Sequence, residues 1–320
     1  MKKNILHLEK FEPERDSLIN EVITGFEKEQ KQLPCKLFYD KAGSALFDEI
    51  CGLEEYYPTR TEVGIMKENI ADICSLLGKN CLLVELGSGS SIKIRLLLDN
   101  LVNPSGYVPI DISEEHLMES AKILGRDYPG LRIMPVHADY TQPLCLPRFD
   151  FPFSHTVFFY PGSTIGNFTP ESAAAFLKWI AKRAGRGSGL LIGVDLVKNV
   201  KTLEDAYNDS KGVTAEFNLN ILKRLNREIG ADFDTTKWRH KAFYNTLENR
   251  IEMHLESTIN QRVRVDGTSF RFLKDETILT EYSYKYTIEG FRDLVSESYS
   301  VEKIWKDREN RFSVQYLKVI

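Results

Sequence analysis

A glycine-rich turn is the segment of this sequence whose residue types point most directly to ligand binding. The segment reads Glu85-Leu-Gly-Ser-Gly-Ser-Ser91 and follows the apolar run 81–86, which is typical of a buried parallel strand. Gly87 and Gly89 carry no Cβ, so their backbone can approach a ligand closely. Open α/β sheets bind ligands at the carboxyl ends of their strands, so the turn predicts a site for an adenosine-containing cofactor.

The residues around this turn favour S-adenosylmethionine over a dinucleotide. Position 92 is isoleucine, where a dinucleotide fingerprint has a third glycine that brings a helix close to a pyrophosphate. S-adenosylmethionine has no pyrophosphate. Asp111 ends the next predicted strand, where its carboxylate can accept both ribose hydroxyls. Asp139 and Tyr140 follow the third strand and can meet the adenine amino group and ring, although a plain turn explains this pair too. The predicted cofactor residues are Glu85, Gly87, Ser88, Gly89, Lys93, Asp111, Asp139 and Tyr140.

Alternating strand and helix signals must position these residues. The predicted strands are 81–86, 106–111, 131–136, 156–160 and 190–195, with a helix at 92–101 and another that begins at Thr169-Pro170-Glu171. Ser113 is expected to cap the helix after Asp111. This alternation predicts an α/β fold with a doubly wound parallel sheet.

The second half of the chain departs from this alternation. Residues 195–230 are largely helical, and Phe217, Ile221, Leu225 and Ile229 form one apolar stripe. Strands are predicted at 250–259 and 268–286, which suggests an inserted α+β module. The end of the chain predicts a helix at 288–296 and a β-hairpin from 300–306 and 312–319. A parallel sheet finished by such a hairpin resembles the class I methyltransferase fold, whereas a nicotinamide-type Rossmann domain has no reason to end this way.

Composition limits the class of protein. Of the 320 residues, 42% are hydrophobic and 28% charged, and the net charge of −4 makes nucleic acid a poor candidate partner. No apolar run approaches the roughly 18 residues of a membrane span, and the first residues show no signal peptide. Five widely spaced cysteines indicate reduced thiols and a cytoplasmic protein, with Cys81 a buried structural thiol. The histidines form no metal-ligand pattern, so no metal is predicted.

Several longer strings closely resemble one enzyme family. They are Phe38-Tyr-Asp-Lys-Ala-Gly-Ser-Ala-Leu-Phe47, Glu55-Tyr-Tyr-Pro-Thr-Arg60, Gly162-Ser-Thr-Ile-Gly-Asn-Phe168, Asp205-Ala-Tyr-Asn-Asp209, Gly212-Val-Thr-Ala-Glu-Phe-Asn218, Ile251-Glu-Met-His254 and Thr280-Glu-Tyr-Ser-Tyr-Lys285. From about residue 33 to the C-terminus, the chain resembles the L-histidine Nα-methyltransferases of ergothioneine biosynthesis. The resemblance implies three successive methylations of the histidine α-amine, giving hercynine, and we expect a monomer. It also implies a methyltransferase core at 61–195 and 287–320, with a substrate-binding domain at 1–60 and 196–286.

Glu281 and Ser283 are the predicted ligands of the substrate's imidazole. They lie two residues apart in a strand, so they share one face. A carboxylate can accept an imidazole N–H, while a hydroxyl can serve the other ring nitrogen; indole would lack that second partner. The resemblance implies the same role for this pair, whereas without it an exposed strand face would be the simpler reading. Met253 is expected beside the ring, although ordinary core packing would also explain it.

The resemblance implies further substrate contacts. Asn167 and Tyr207 correspond to the pair that binds the substrate carboxylate, and Gly162 and Thr164 belong to a loop that allows close backbone approach, although it could equally be a tight strand-to-helix turn. Tyr39, Phe47 and Tyr56 resemble the residues that close over the substrate, but taken singly a tyrosine in such a segment is usually structural.

Tyr39 and Asn167 are the catalytic candidates because either can hold an amine N–H and aim the nitrogen lone pair. No histidine or lysine is evident as a general base, and solvent can take the proton. Alternative hypotheses are a methyltransferase for another amino acid or aromatic amine, a nicotinamide-dependent oxidoreductase, and a non-enzymatic cofactor sensor.

Overall fold

The computed structural model describes residues 9–11, 15–89, 91–142 and 146–320. The described residues divide into two compact units. The core unit comprises Pro58–Val197 and Lys285–Ile320 together with residues 9–11, and the insertion unit comprises Lys198–Tyr284 together with residues 15–57. None of the helices in these described ranges combines the length and apolar character that a bilayer crossing demands.

Helices and strands alternate through most of the chain. The helices are α1 (Arg15–Glu27), α2 (Lys41–Cys51), α3 (Tyr57–Leu77), α4 (Ile92–Leu98), α5 (Glu114–Asp127), α6 (Pro170–Ala184), α7 (Val200–Asp205), α8 (Val213–Ile229) and α9 (Ile288–Val295). The strands are β1 (Glu9–Phe11), β2 (Leu82–Leu86), β3 (Gly106–Asp111), β4 (Val136–Ala138), β5 (Thr156–Tyr160), β6 (Gly189–Asp195), β7 (Trp238–Asn245), β8 (Arg250–Ser257), β9 (Gln261–Val265), β10 (Thr268–Phe272), β11 (Thr277–Tyr284), β12 (Tyr299–Lys306) and β13 (Phe312–Val319). Short 3-10 helices lie at Cys35–Phe38, Thr164–Asn167 and Thr235–Lys237.

One mixed sheet organises the core unit, with the strand order β1-β4-β3-β2-β5-β6-β13-β12. The strand pairs from β1 to β6 are parallel, whereas β13 runs antiparallel to both β6 and β12. Strands β2, β3, β5 and β6 are buried along their whole length, which explains their almost continuously apolar sequences. The predicted parallel sheet with a terminal hairpin is confirmed.

The start of α6 follows its sequence signals. The Thr169 hydroxyl accepts a hydrogen bond from the Ser172 N–H, and Pro170 occupies the first turn, where its missing N–H costs nothing. Gly185 ends the helix with a φ of 80°. By contrast, Ser113 stands at the N-cap of α5, but its side chain makes no capping hydrogen bond, so that prediction was wrong in its detail.

Two other expectations for the core unit need correction. Strand β4 begins at Val136 rather than at residue 131, because Pro135 has no N–H for the strand ladder and only an isolated bridge joins Ile133 to Tyr107. Residues 9–11 pair with β4 as an edge strand, although the sequence analysis groups all of 1–60 with the substrate-binding domain. Edge strands are often short and charged, so they leave little periodic signal. Residues 1–8 and 12–14 lie outside the described part of the chain.

The insertion unit combines α8 with an antiparallel sheet in the order β11-β8-β7 and a ribbon of β9 and β10. The predicted stripe on α8 is buried in its core: Phe217, Ile221, Leu225 and Ile229. Strands β7 and β9 were not predicted. In the first half of β7, the polar residue His240 is half-buried between the exposed Arg239 and Lys241, so the strand lacks a clear apolar alternation.

Candidate functional site

The glycine-rich turn brings Asp111 into a fixed position at the carboxyl end of β3. Gly87 and Gly89 have φ values of 73° and 32°, in the left-handed region that favours glycine. The Gly89 N–H donates to Oδ2 of Asp111 at 3.1 Å, and the Ser113 N–H donates to Oδ1 at 2.9 Å. Burial raises the pKa of Asp111, although these hydrogen bonds oppose the shift. Ser90, within the same turn, lies outside the described residues.

Buried polar groups lie on both sides of the turn. Glu85 is buried on β2, where the Tyr107 hydroxyl donates to its Oε2, and burial raises the pKa of Glu85 to about 8. Among the described residues nothing pairs with the buried hydroxyl of Ser88. A buried hydroxyl without a partner costs free energy, so its presence fits a site completed by a polar ligand.

Asp139 and Tyr140, the two residues predicted to contact adenine, also lie near the glycine-rich turn. The ring of Tyr140 stands 3.8 Å from where a Cβ on Gly87 would be, which is an ordinary contact distance, so the φ of 73° rather than a lack of space favours glycine at position 87. Tyr140 packs edge-on against Tyr160, with the ring centroids 5.8 Å apart. Oδ1 of Asp139 accepts hydrogen bonds from the N–H of Thr141 at 3.0 Å and from its hydroxyl at 2.5 Å. The local turn considered in the sequence analysis is therefore present, and it fixes the carboxylate in place.

A buried glutamate that was not predicted from the sequence contacts both Lys93 and Gly162. Glu62 on α3 is fully buried, its Oε2 lies 2.5 Å from Nζ of Lys93, and the same oxygen accepts the Gly162 N–H at 2.9 Å. The side chains of Thr61, Glu62, Ile65 and Met66 share the buried side of α3. A glutamate within such an apolar stripe was the available signal, because an acid is rarely buried without a partner.

The loop that follows β5 is held by short-range and long-range contacts. Gly162 and Ser163 have φ values of 79° and 56°, and the Ser163 hydroxyl accepts the Asp195 N–H at 2.9 Å. The Thr164 hydroxyl donates to the Pro161 carbonyl, and the 3-10 helix that begins there ends at Asn167. The loop is therefore a tight turn, which is one of the two interpretations given from the sequence, and these hydrogen bonds fix its conformation.

Lys285 is a second residue that sequence reasoning missed. Its Nζ lies 2.9 Å from Oδ2 of Asp195, and both side chains are 1% exposed. Lys285 is the last residue of the string 280–285, which is one of the strings that resemble the family, but no role was predicted for it. Because breaking a buried ion pair leaves an uncompensated charge, this pair fixes the end of β6 beside the loop.

In the insertion unit, Tyr207 and Ser283 are joined directly. The Tyr207 hydroxyl donates to Oγ of Ser283 at 2.8 Å, and both side chains are buried. Ser283 is thus no part of an exposed strand face. Glu281 lies two residues earlier on β11, in register with Met253 of β8. Met253 is buried in the hydrophobic core of the unit, as its alternative interpretation stated.

An aromatic cluster surrounds these polar residues. The ring centroids of Tyr39 and Phe47 are 5.8 Å apart, those of Phe47 and Tyr56 are 6.3 Å apart, and those of Tyr56 and Tyr207 are 6.2 Å apart. Phe217 of α8, which was predicted only as core, contacts Tyr39 and Phe47. Burial raises the pKa of Tyr56 well above its ordinary value, and nearby Tyr207 and Glu281 add to the shift. The structure therefore gathers Tyr39, Phe47, Tyr56, Tyr207, Glu281 and Ser283.

The described cysteines are free thiols: Cys35, Cys51, Cys74 and Cys81. Burial raises the pKa of Cys81 to about 11, so its thiol is protonated and unreactive at neutral pH, as expected of a structural residue. Cys145 lies outside the described residues.

One family model and several known proteins are similar to this chain over most of its length. The family described as "Histidine-specific methyltransferase, SAM-dependent" matches residues 18–319. The chain is 42% identical over 276 residues to histidine N-alpha-methyltransferase of Mycobacterium tuberculosis, covering 84% of each chain. It is 41% identical over 281 residues to the protein of the same name from Mycolicibacterium smegmatis, covering 86% of each. Ergothioneine biosynthesis protein 1 of Schizosaccharomyces pombe is 31% identical over 277 residues, covering 83% of this chain and 36% of that protein.

Proposed function

Because this chain belongs to the family of histidine-specific, S-adenosylmethionine-dependent methyltransferases, we propose that it transfers three methyl groups to the α-amine of L-histidine and forms hercynine. The observation that carries the substrate assignment is the buried hydrogen bond from Tyr207 to Ser283, on the strand that also presents Glu281. The Tyr207 hydroxyl holds Ser283 in place, and a serine hydroxyl can serve a ring nitrogen of the substrate as donor or acceptor. Glu281 then accepts the N–H of the other ring nitrogen.

The cofactor residues of the core unit suit S-adenosylmethionine. Asp111 can accept the ribose hydroxyls, the orphan Ser88 hydroxyl can donate to the ligand, and the ammonium of Lys93 can pair with the carboxylate of the methionine part. When bound, S-adenosylmethionine supplies an electrophilic methyl group on a sulfonium. Glu62 holds Lys93 and the backbone of Gly162 in place for this binding.

The protein's task in each transfer is to present a neutral amine. An ammonium nitrogen has no lone pair, so a proton must leave before each attack. Tyr56 is a poor base because its raised pKa keeps it protonated at neutral pH, and Tyr39 or Asn167 can hold an amine N–H without removing it. We assign the proton to solvent and the orientation to these residues; correct positioning lowers a barrier by up to about 7–11 kcal/mol in ideal cases.

The product carries a permanent positive charge on nitrogen and has no amine N–H. It therefore loses the hydrogen bonds that held the amine, which favours release, and it cannot be methylated again. The cluster of Tyr39, Phe47 and Tyr56 can tolerate the cation on its aromatic faces during the last step. The cytoplasmic location and the monomeric state stay predictions.

Mass spectrometry of L-histidine incubated with the protein and S-adenosylmethionine tests this function. We expect one, two and finally three added methyl groups, with none when the protein is omitted. The same assay over the other common amino acids tests the main alternative. Methylation of tryptophan or tyrosine without methylation of histidine would contradict the proposal, and so would a reaction that stops at one methyl group.

A further inference from the structure

The strand that carries Glu281 and Ser283 is irregular at its centre. The pairing of β11 with β8 shifts between Leu279 and Glu281, so Thr280 is the extra residue of a β-bulge. A bulge changes the direction of the side chains beside it, and Glu281 is the first residue that follows. Thr280 is buried, at 1% exposure. The contacts that hold Thr280 in place therefore determine the direction of the Glu281 side chain.

Asn218 of α8 holds Thr280. The Thr280 hydroxyl donates to Oδ1 of Asn218 at 2.8 Å, and it also lies 3.0 Å from the Met253 carbonyl. Nδ2 of the fully buried Asn218 donates to the His254 carbonyl at 2.9 Å. That carbonyl can only accept a hydrogen bond, so the atom facing it must be the amide nitrogen. The amide oxygen must then face Thr280.

This orientation determines the state of His240. The same Nδ2 lies 2.9 Å from Nδ1 of His240, so Nδ1 must be an acceptor and carry no proton. Nε2 of His240 lies 2.8 Å from the Tyr207 carbonyl, so Nε2 must carry the hydrogen. Only the neutral Nε2–H tautomer satisfies both contacts. Burial lowers the pKa of His240, which favours this neutral form.

We propose that Thr280, Asn218 and His240 form a positioning network that fixes Glu281 and Tyr207 relative to one another. The network begins at the bulge before Glu281 and ends at the backbone of Tyr207, whose hydroxyl binds Ser283. It rests on the proposed function, because Glu281 and Ser283, which Tyr207 holds, are the two groups proposed to bind the imidazole. It also gives a role to Asn218, which ends a string that the substrate assignments leave unexplained.

Replacing Thr280 by valine tests the network with little change in shape. Thr280→Val removes the donor to Asn218 and leaves a buried acceptor unsatisfied. We expect the KM for histidine to rise roughly tenfold, with an unchanged dissociation constant for S-adenosylmethionine. Thr280→Ser keeps the hydroxyl and should restore the KM. Thr277→Val, on the same strand but outside the network, is the matched control and should keep the wild-type KM.

The substitution His240→Asn tests the end of the network that contacts the Tyr207 backbone, and it remains informative if the Thr280→Val variant does not fold. We expect the same rise in KM, because the Tyr207 carbonyl loses its partner. His155→Asn is its control, since His155 also bonds to a backbone carbonyl but lies in the core unit. A wild-type KM for both Thr280→Val and His240→Asn would overturn the proposal. An equal rise in the Thr277→Val control would do the same.

Nitrogen-15 NMR of the histidine rings separates a failure of the network from a failure of the proposed function. In the wild-type protein without substrate, we expect His240 to be protonated on Nε2 only. A proton on Nδ1 would overturn the network even if histidine is methylated. If the wild-type protein does not methylate histidine, the proposed function fails, and the tautomer of His240 still decides whether the hydrogen bonds exist.

Discussion

At the scale of single residues, substrate choice rests on two side chains with complementary chemistry. The Ser283 hydroxyl is held by Tyr207 and can serve one ring nitrogen, and Glu281, two residues away, can accept the N–H of the other. We expect the double substitution Glu281→Ala with Ser283→Ala to raise the KM for histidine by about 100-fold or more, because the substrate's ring N–H loses a charged partner. Titration calorimetry should show unchanged binding of S-adenosylmethionine. Undiminished activity on histidine would refute the imidazole assignment.

Asp111 has a dual role that two substitutions can separate. Its carboxylate accepts the Gly89 and Ser113 N–H groups and is the predicted acceptor for the ribose hydroxyls. We expect Asp111→Ala to weaken S-adenosylmethionine binding by about 10- to 100-fold, since both the turn and the ribose lose their acceptor. Asp111→Asn keeps the shape and one acceptor oxygen, so its loss should be smaller. Wild-type affinity of the alanine variant, measured by calorimetry, would remove Asp111 from the site.

Glu85 makes the stability of the core unit fall with rising pH. Burial raises its pKa from 4.5 to about 8 in the folded protein, so the unfolded chain ionises first. Between these two values the unfolded state binds fewer protons, and the free energy of unfolding decreases as the pH increases. Glu85→Gln mimics the neutral acid and should remove this slope, becoming more stable than wild type by about 1–3 kcal/mol at pH 8. Parallel pH curves for the two proteins, from denaturant unfolding, would contradict the assignment.

Residues close to a recognisable motif were predictable, and those that act across the fold were not. Asp111 and Tyr140 follow from strand ends next to a glycine-rich turn. Glu62 and Lys285 escaped because their partners, Gly162 and Asp195, lie far away along the chain. The position of Glu62 within the apolar stripe of α3 indicates that the acid is buried, but it does not reveal which groups the carboxylate binds.

At the scale of elements, close packing of α3 on β6 leaves no room for a side chain at position 193. A Cβ on Gly193 would stand 2.0 Å from Oε1 of Glu62 and 3.1 Å from a ring carbon of Phe312. We expect Gly193→Ala to push Glu62 away from Gly162 and Lys93. The free energy of unfolding should drop by about 1–3 kcal/mol, and the affinity for S-adenosylmethionine should fall as well.

The control for this substitution lies on α3 itself. Gly64 has no atom within 4 Å of where its Cβ would be, so Gly64→Ala should be neutral or slightly stabilising in a helix. If Gly193→Ala lowered stability but left cofactor affinity at the wild-type value, Glu62 would be a structural residue without a role in positioning Lys93.

Helices and strands were predicted correctly where the spacing of the hydrophobic residues and the residues at the ends of the element indicated the same structure. Strand β13 was predicted as the second strand of the terminal hairpin, and α6 from its threonine, proline and glycine signals. Strand β7 was missed because the polar residue His240 is half-buried between the exposed Arg239 and Lys241, which breaks the apolar alternation expected of a strand. The β-bulge at Thr280 could not be predicted, because a shift of register depends on the partner strand.

At the scale of the whole molecule, the two units have separate hydrophobic cores. The core unit packs residues of α3, α4 and α5 against its sheet, and the insertion unit packs α1, α2 and α8 against its strands. The sequence located this change because the strand-helix alternation stops after β6. It could not assign residues 9–11, whose pairing with β4 depends on a strand far along the chain.

The positions of the buried titratable groups predict opposite pH responses in the two units. In the insertion unit, burial lowers the pKa values of His240 and His254 below 6.5. As the pH falls through 6.5, the unfolded chain takes up protons that the folded unit does not, so this unit loses stability. Glu252 and Glu256 have lowered pKa values, so their stabilisation is lost only below about pH 4.5. As the pH falls from 7.5 to 5.5, the histidines therefore lower the stability of this unit, whereas Glu85, with Asp111 acting in the same direction, raises that of the core unit.

Hydrogen exchange measured by mass spectrometry at pH 7.5 and 5.5, corrected for the intrinsic rates, can resolve the two responses. We expect the opening free energy of α8 and β8 to fall by about 1–2 kcal/mol at the lower pH, because each buried neutral histidine contributes up to 1.4 kcal/mol per pH unit. Strands β2 and β3, beside Glu85, should become more protected over the same change. His240→Asn, which cannot take up a proton, should reduce the acid sensitivity of the insertion unit and leave the core unit unaffected. Equal loss of protection in both units at pH 5.5 would show that neither the histidines nor Glu85 controls the response.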